Sequence, residues 1–452
     1  MGALSDLQIA QPLTLKCGLT LPNRLVKAAM AEQLSDKKNL PSTNLQDAYK
    51  PWSEGGWGMV ITGNVQVSAA HLGQPLDVAI PPTTPATGPA PASTITPFTA
   101  WSTTSHGPNP TRKTPTVVQI SHPGRQSMRG AGSRGLFSPA VAPSAIPLSI
   151  GPGWVATILR ALVFGTPRAL TEAEIGEVVA QFGRAARVCA EAGFDGVEVH
   201  AAHGYLLSQF LSTKGNARTD GYGGDARGRA RIVVEVVRAV REATKGYEGF
   251  CVGVKLNSVD VAGDGRELGE CVEQVRAIVE AGVDFVEISG GSYEDPKVCC
   301  AMVGQQEKSE RTKDREAFFL EFAGVIRKEF PDVPLMVTGG FTTRLGMENA
   351  VAGGDCDMVG LGRPAVLNPA IPNNIVFNPE IKDQDAVVYR KKNEMPWIIK
   401  YFGLGAVGAG IDTVSCAPLA LPKSPLTFFA RNGIQESCGS SQRCKYMVRG
   451  RG

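Results

Sequence analysis

The segment His200-Ala201-Ala202-His203-Gly204-Tyr205 places two imidazoles and a phenol within six residues of a chain that has only five histidines. Two imidazole N–H groups can donate to a carbonyl or phenolate oxygen and polarise it, and a tyrosine hydroxyl alongside can deliver a proton. A pair of structural histidines is the competing reading. Two of the five gathered beside a tyrosine favour chemistry. A zinc reading of His-x-x-His requires further ligands, and no carboxylate or third histidine stands at a recognisable spacing, so no metal is assigned. A second group is rich in glycine: Thr338-Gly339-Gly340-Phe341 and Gly360-Leu361-Gly362-Arg363. Backbone N–H groups in such turns, together with a guanidinium, suit a phosphate.

Both groups must be positioned by a scaffold. Short runs rich in Val, Ile and Leu, bounded by Gly, Pro, Asn or Asp, recur at 24–30, 58–63, 116–121, 196–200, 250–256, 284–289, 334–338 and 357–361. Such continuous apolar runs suit strands buried on both faces. Helical periodicity fills the intervals at 171–192, 229–244, 268–281 and 315–330, the first opened by a capping box of Thr171 and Glu174. Glycines close three helices, at Gly193, Gly282 and Gly353-Gly354, where the chain re-enters the sheet. Eight strands alternating with helices predict an α/β fold, a (β/α)8 barrel over 1–370 with long loops after its strands; an open doubly wound sheet is the alternative. Residues 371–452 are expected to form a final helix and an irregular tail. Residues 81–115, with nine prolines, predict an extended connection around one short helix near 98–105, and 123–168 form a long excursion after the third strand.

The 452 residues are 43% hydrophobic and 20% charged, which excludes the disordered and membrane classes. A net charge of +3 is too balanced for a nucleic-acid footprint, so a small-molecule partner is expected, without nucleic acid or membrane. The ten cysteines show no Cys-x-x-Cys or zinc spacing, and the first residues lack the apolar core of a secretory signal. Reduced thiols and a cytoplasmic location are the expectation. The sequence is compatible with a homo-oligomer.

In a barrel the reacting groups project from the C-terminal ends of the strands. Those ends carry Ala28-Ala29-Met30-Ala31-Glu32-Gln33, Gly63-Asn64, Gln119 with His122, the His200–Tyr205 segment, Lys255 with Asn257, Ser289-Gly290-Gly291-Ser292 and the two glycine turns. Together with Asn23-Arg24, Gln119-Ile120-Ser121-His122-Pro123-Gly124-Arg125, Ala192-Gly193-Phe194-Asp195 and Arg218-Thr219-Asp220-Gly221-Tyr222-Gly223-Gly224, the chain resembles the old yellow enzyme family, over about residues 9–370. It looks most like the branch of bacterial ene reductases and fungal NADH:flavin oxidoreductases.

The resemblance implies non-covalent FMN, with NAD(P)H as reductant and an activated alkene as substrate, in a ping-pong scheme. It implies that Ala28, Ala29, Met30 and Ala31 lie along the flavin edge with Asn64 beside them, that Gln119 meets the pyrimidine ring and that Lys255 faces N1 and O2. Gly339, Gly340, Gly362 and Arg363 would hold the phosphate. His200 and His203 would bind the activating oxygen of the substrate, with Gln33 a further substrate contact, and Tyr205 would donate the proton. A setting in fungal secondary metabolism, such as polyketide tailoring, is also implied. A flavin-binding barrel without alkene turnover, acting as a binding module, is the alternative, and it has no use for the histidine pair and Tyr205 together.

Several positions depart from that family's pattern. Ala31 stands where Cys or Thr is common, Lys255 replaces the more frequent Arg, losing the planar fork, Gln33 replaces an aromatic contact, and Gly228 replaces Asn. In the tail, Gly403-Leu404-Gly405-Ala406-Val407-Gly408 fits Gly-x-Gly-x-x-Gly, yet the prolines downstream spoil the helix and second strand of a dinucleotide-binding unit, and it reads as a glycine-rich turn. Cys416, Cys438 and Cys444 lack iron–sulfur spacing.

Overall fold

The computed structural model describes residues 4–388 except 86, 152, 258–264 and 291–321. The apolar runs become eight strands: β1 (Leu25–Lys27), β2 (Met59–Ile61), β3 (Thr116–Ser121), β4 (Gly196–Ala201), β5 (Cys251–Asn257), β6 (Phe285–Ser289), β7 (Leu335–Thr338) and β8 (Met358–Leu361). Each pairs in parallel with the next, and β8 returns to β1, so the sheet closes and the open-sheet alternative is excluded. β1 is shorter than the expected 24–30 because the chain leaves the sheet after Lys27. Only Ala28 N–H still reaches across, to Leu361 O at 3.0 Å.

Helices cover the outside: α1 (Thr43–Ser53), α2 (Ala92–His106), α4 (Glu172–Glu191), α6 (Ala226–Ala243), α7 (Gly265–Glu280), α8 (322–329) and α9 (Arg344–Ala352), with α3 (Gly153–Val163), α5 (Leu206–Leu211) and α10 (Arg363–Leu367) in the loops. The capping box at Thr171 and Glu174 is present. α6 starts three residues before the predicted 229 because the Asp225 carboxylate accepts from Gly228 N–H at 2.7 Å and caps it there. α2 is longer than expected and carries Pro97 inside it. The predicted final helix and tail beyond 388, with the glycine motif and the three tail cysteines, lie outside the described residues, as do Gly291 and Ser292.

The floor of the barrel is apolar. Val26, Met59, Ile61, Val117, Cys251, Phe285, Met336 and Met358 pack there with Leu15 and Leu21 of a hairpin formed by Leu13–Thr14 and Thr20–Leu21. The floor's rim is tied by three aspartates. Asp195 accepts Thr116 N–H at 2.7 Å, Asp284 accepts Val252 N–H at 2.7 Å and Asp357 accepts Leu335 N–H at 2.7 Å. Each also meets a basic side chain from the helix before the strand it ties: His106, Arg241 and Arg327 respectively. Asp195 and Asp284 follow Gly-x directly, so those glycine stops also place a carboxylate where it pins an even strand to the odd strand before it. Among the described residues, no helix is long and apolar enough to cross a membrane.

Loss of such a staple leaves a backbone N–H and a basic group without their acceptor. Asp195→Ala is expected to lower the unfolding free energy by about 2–3 kcal/mol, measured by chemical denaturation; an unchanged midpoint would show the tie to be idle.

Candidate active site

Along β4, Glu198 and His200 are two residues apart and share the inner face of the barrel. After Ala201 the chain turns at His203, which has a φ of 58°. That left-handed conformation is uncommon outside glycine and is held here on both sides. Gln126 Nε2 donates to His203 O at 2.9 Å and Gln209 Nε2 to Gly204 O at 2.7 Å. Tyr205 then opens α5. The His200 ring lies 4.8 Å from the Tyr205 ring and 4.9 Å from the His203 ring, both edge-on. Asn64, from the end of β2, donates to the Tyr205 hydroxyl at 3.2 Å. Asn64, picked out separately in the sequence, therefore joins the His200–Tyr205 segment in one cluster.

The hydrogen bonds assign the protons. His200 Nδ1 accepts from Ala202 N–H at 3.4 Å, which leaves the proton on Nε2. Nε2 faces His203 Nδ1 at 3.3 Å, and His203 Nε2 faces Ser289 Oγ at 3.2 Å. Burial, with the Lys255 charge nearby, holds the His203 imidazole at about 3 and keeps His200 well below the usual range. Both rings are neutral donor–acceptors at neutral pH. The Ser289 hydroxyl can accept from His203 Nε2 or, by rotating, donate to it. In the second state the His203 proton moves to Nδ1, and His200 and His203 both present N–H groups toward the same point.

Alongside the histidine pair, the barrel interior carries charge. Lys255 Nζ donates to Glu287 Oε1 at 2.5 Å, and Gln119 Nε2 donates to Glu198 Oε1 at 2.6 Å. The Glu198 and Glu287 carboxyl groups lie within hydrogen-bonding reach of each other, and all four side chains are buried. Glu198 Oε2 has no other donor, whereas the Thr338 hydroxyl helps hold the charge on Glu287. Two carboxylates with one ammonium leave one negative charge uncompensated in a low-dielectric interior, a state of high cost. A proton between the two glutamates removes it. Burial and the neighbouring Glu287 charge push Glu198 up, whereas Lys255 draws Glu287 down against its burial, so the proton resides on Glu198.

The remaining predicted residues surround this layer. Gly339 and Gly340 follow β7 with φ values of 124° and 87°, and Gly362 follows the adjacent β8, directly before Arg363 and α10. The glycine turns are thus neighbours, and the buried hydroxyl of Thr338 between them helps hold the Glu287 charge. Ala28, Ala29, Met30 and Ala31 run beside them: a Cβ on Gly362 would stand 3.1 Å from Met30 Sδ. Gln33 is half-buried, with a φ of 56°, and among the described residues its side chain makes no hydrogen bond to the histidine cluster.

Four site residues were missed as participants: Glu32, Glu198, Glu287 and Ser289. Glu32 accepts from Gly63 N–H at 2.9 Å and from the Tyr49 hydroxyl, fixing the end of β1 against the end of β2. Gly63 is required there, since its Cβ would fall 1.9 Å from Glu32 Oε2. Glu198 and Glu287 had a visible signal, a lone carboxylate inside the apolar runs Val197-Glu198-Val199 and Val286-Glu287-Ile288.

Three comparisons bear on this site. A model of the NADH:flavin oxidoreductase / NADH oxidase family matches residues 111–379. The NADH-dependent flavin oxidoreductase iliE of Neonectria sp. (strain DH2) is 49% identical over 90% of the chain, which spans only about half of that relative's length, 53%. The NADH-dependent flavin oxidoreductase iccE of Talaromyces variabilis is 44% identical over 90% of the chain and 96% of its own length. Among solved structures, morphinone reductase superposes with a TM-score of 0.61 at 24% identity, covering 82% of this chain and 90% of its own, a likeness of fold.

Two outcomes follow from the protonation pattern. Glu198→Gln, whose amide replaces the proton, is expected to fold with near-native stability, whereas Glu287→Gln leaves Lys255 unpaired and costs about 3 kcal/mol in chemical denaturation; equal effects would contradict one shared proton. Because His203 is neutral when folded and titrates near 6.5 when unfolded, its stabilisation is full above about pH 6.5 and is lost toward pH 3, at roughly 1.4 kcal/mol per pH unit. His203→Asn is expected to remove one proton's share, about 1.4 kcal/mol per pH unit, of the stability slope in denaturation taken from pH 7 to pH 5, leaving the share of the other buried histidines.

Proposed function

The chain belongs to the NADH:flavin oxidoreductase / NADH oxidase family, and from that premise we propose that it is an FMN-dependent NAD(P)H oxidoreductase that reduces the activated C=C bond of an enone-type small molecule. The observation that carries this reading is the neutral His200–His203 pair with Tyr205 beside it, above a buried layer holding one lysine. A binding module without turnover has no need of two imidazoles tuned against protonation and a phenol within ring contact of them.

The residues suit the cofactor. Lys255 and Gln119 offer a cation and an amide to the polar edge of a flat ring, and Gly339 and Gly340, at φ 124° and 87°, leave a backbone cradle without side chains beside Gly362. Gly339, Gly340, Gly362 and Arg363 would hold the phosphate, and Ala28 to Ala31 with Asn64 would border the ring. When bound, FMN supplies two-electron hydride transfer between NAD(P)H and the alkene, in two half-reactions that share one site.

His200 and His203 bind the carbonyl oxygen of the substrate by their facing nitrogens and stabilise the charge that grows on it. Ser289 sets the His203 tautomer that allows both to donate. Tyr205, oriented by Asn64, delivers the proton to the α-carbon. Fixed neutral donors serve this better than imidazolium, because they do not give up a proton to the oxygen they hold. NADH is the reductant we favour, since both fungal relatives are named for it. A role in tailoring a secondary metabolite follows from the resemblance to fungal members, and a cytoplasmic setting from the unpaired cysteine pattern and the N-terminal residues.

His200→Ala combined with His203→Ala is expected to keep bound flavin and lose on the order of 10²-fold or more in kcat/KM for a simple enone such as cyclohexenone. Tyr205→Phe is expected to lose less, since water can replace the acid. Ser289→Ala should cost about tenfold in kcat, the worth of one hydrogen bond in the transition state. Unchanged enone turnover in the double variant would remove the reading and leave a flavin-binding barrel.

A further inference from the structure

At the floor of the barrel, opposite the active site, two thiols face each other. Cys17 lies in the turn of the N-terminal hairpin and is half-buried; Cys251 is the first residue of β5 and is fully buried. Their sulfurs and a carboxylate oxygen of Asp284 all lie within 4.8 Å of one another. Arg241 of α6 completes the cluster, its Nη2 2.7 Å from Asp284 Oδ2. We propose that Cys17 and Cys251 are a peroxide-responsive pair that closes to a disulfide, joining the hairpin to β5.

The placement separates the roles. Cys17 is reached by solvent and serves as the attacking thiol; Cys251 is sequestered against it and serves as the resolving one. Hydrogen bonds from the Cys251 thiol and the Leu19 backbone stabilise the Cys17 thiolate, and the same contact with Cys17, together with burial, keeps Cys251 protonated. A metal is the competing occupant and fits less well. Only three ligands converge where structural zinc takes four, Asp284 Oδ2 is already held by Val252 N–H and Arg241, and the guanidinium opposes a cation.

The chemistry balances with hydrogen peroxide as oxidant. The Cys17 thiolate attacks one peroxide oxygen; an S–O bond forms, the O–O bond breaks, and the departing hydroxide takes a proton and leaves as water. The sulfur of Cys251 then attacks Cys17 Sγ. The S–S bond forms, the S–O bond breaks, and the Cys251 proton leaves with the hydroxyl as a second water. Two thiols are oxidised by two electrons and one peroxide is reduced. No flavin is needed, so the inference stands apart from the proposed activity.

Trypsin isolates Cys17 in peptide 17–24 and Cys251 in peptide 246–255. The full chain is treated with hydrogen peroxide, alkylated with iodoacetamide and mapped without reduction by mass spectrometry. The expected result is one cross-linked species of these two peptides that dithiothreitol releases, absent in Cys17→Ser, with dimedone trapping a sulfenic acid at Cys17 in Cys251→Ser. Oxidised wild type is also expected to gain about 5 °C in Tm, because the bridge closes a very long loop. Both peptides alkylated after peroxide, or Cys17 carried to sulfinic acid with no cross-link, would overturn the proposal. So would protection of both thiols by one added equivalent of zinc, which would mark a metal site instead.

Discussion

Among the described residues, the barrel interior beside His200 holds two carboxyl groups and one ammonium, and the rest of the site follows from how that imbalance is settled. Glu287 claims the Lys255 cation, Glu198 keeps a proton, and Gln119 is left to orient its amide on Glu198. Each of these side chains projects from a different strand of the closed sheet, so the charge pattern also locks the register of β3 to β6 relative to one another. An apolar layer would be cheaper to bury, since removing several charged groups from water costs several kcal/mol per ion. The layer instead provides a fixed cation and a fixed amide beside the His200–His203 pair.

The histidine cluster is built on the same strands. His200 is in register with Lys255, which is in register with Glu287, and Ser289 lies two residues beyond Glu287 on the same strand. The Lys255 cation, proposed above to serve the polar edge of the flavin, is also a charge that helps keep the two imidazoles neutral. The strained φ of His203 persists because Gln126, from the excursion after β3, and Gln209, from α5, hold the carbonyls on each side of Gly204 N–H. The excursion after β3 and α5 therefore clamp the His203–Gly204 turn from both sides.

Much of this was legible in the chain. The eight strands could be found because a strand buried on both faces is a continuous apolar run, and Thr171 with Glu174 announced the start of α4 in local terms. Strand ends were less visible: β1 stops at Lys27 because its following residues serve the mouth of the barrel, which no local preference records. Glu198 and Glu287 were passed over because a polar residue in an apolar run reads as an interruption, and its meaning depends on what the adjacent strands bring to it. Ser289 stood at a strand end without a role for the same reason. Asp195 and Asp284 follow the helix-closing glycines Gly193 and Gly282, and only the closed sheet shows them as ties across the barrel floor. Cys17 and Cys251 are far apart in the chain, and only closure of the sheet over the hairpin brings them together.

The central claim is that this barrel holds a flavin that cycles between oxidation states at the histidine cluster. It is tested most directly by recording the visible spectrum of the purified protein without oxygen, before and after adding NADH, and then after adding an enone. A yellow protein whose flavin bands bleach with NADH and return with the enone is the predicted result. A colourless protein that takes up no added FMN, or a flavin whose colour neither reductant nor enone changes, would contradict it.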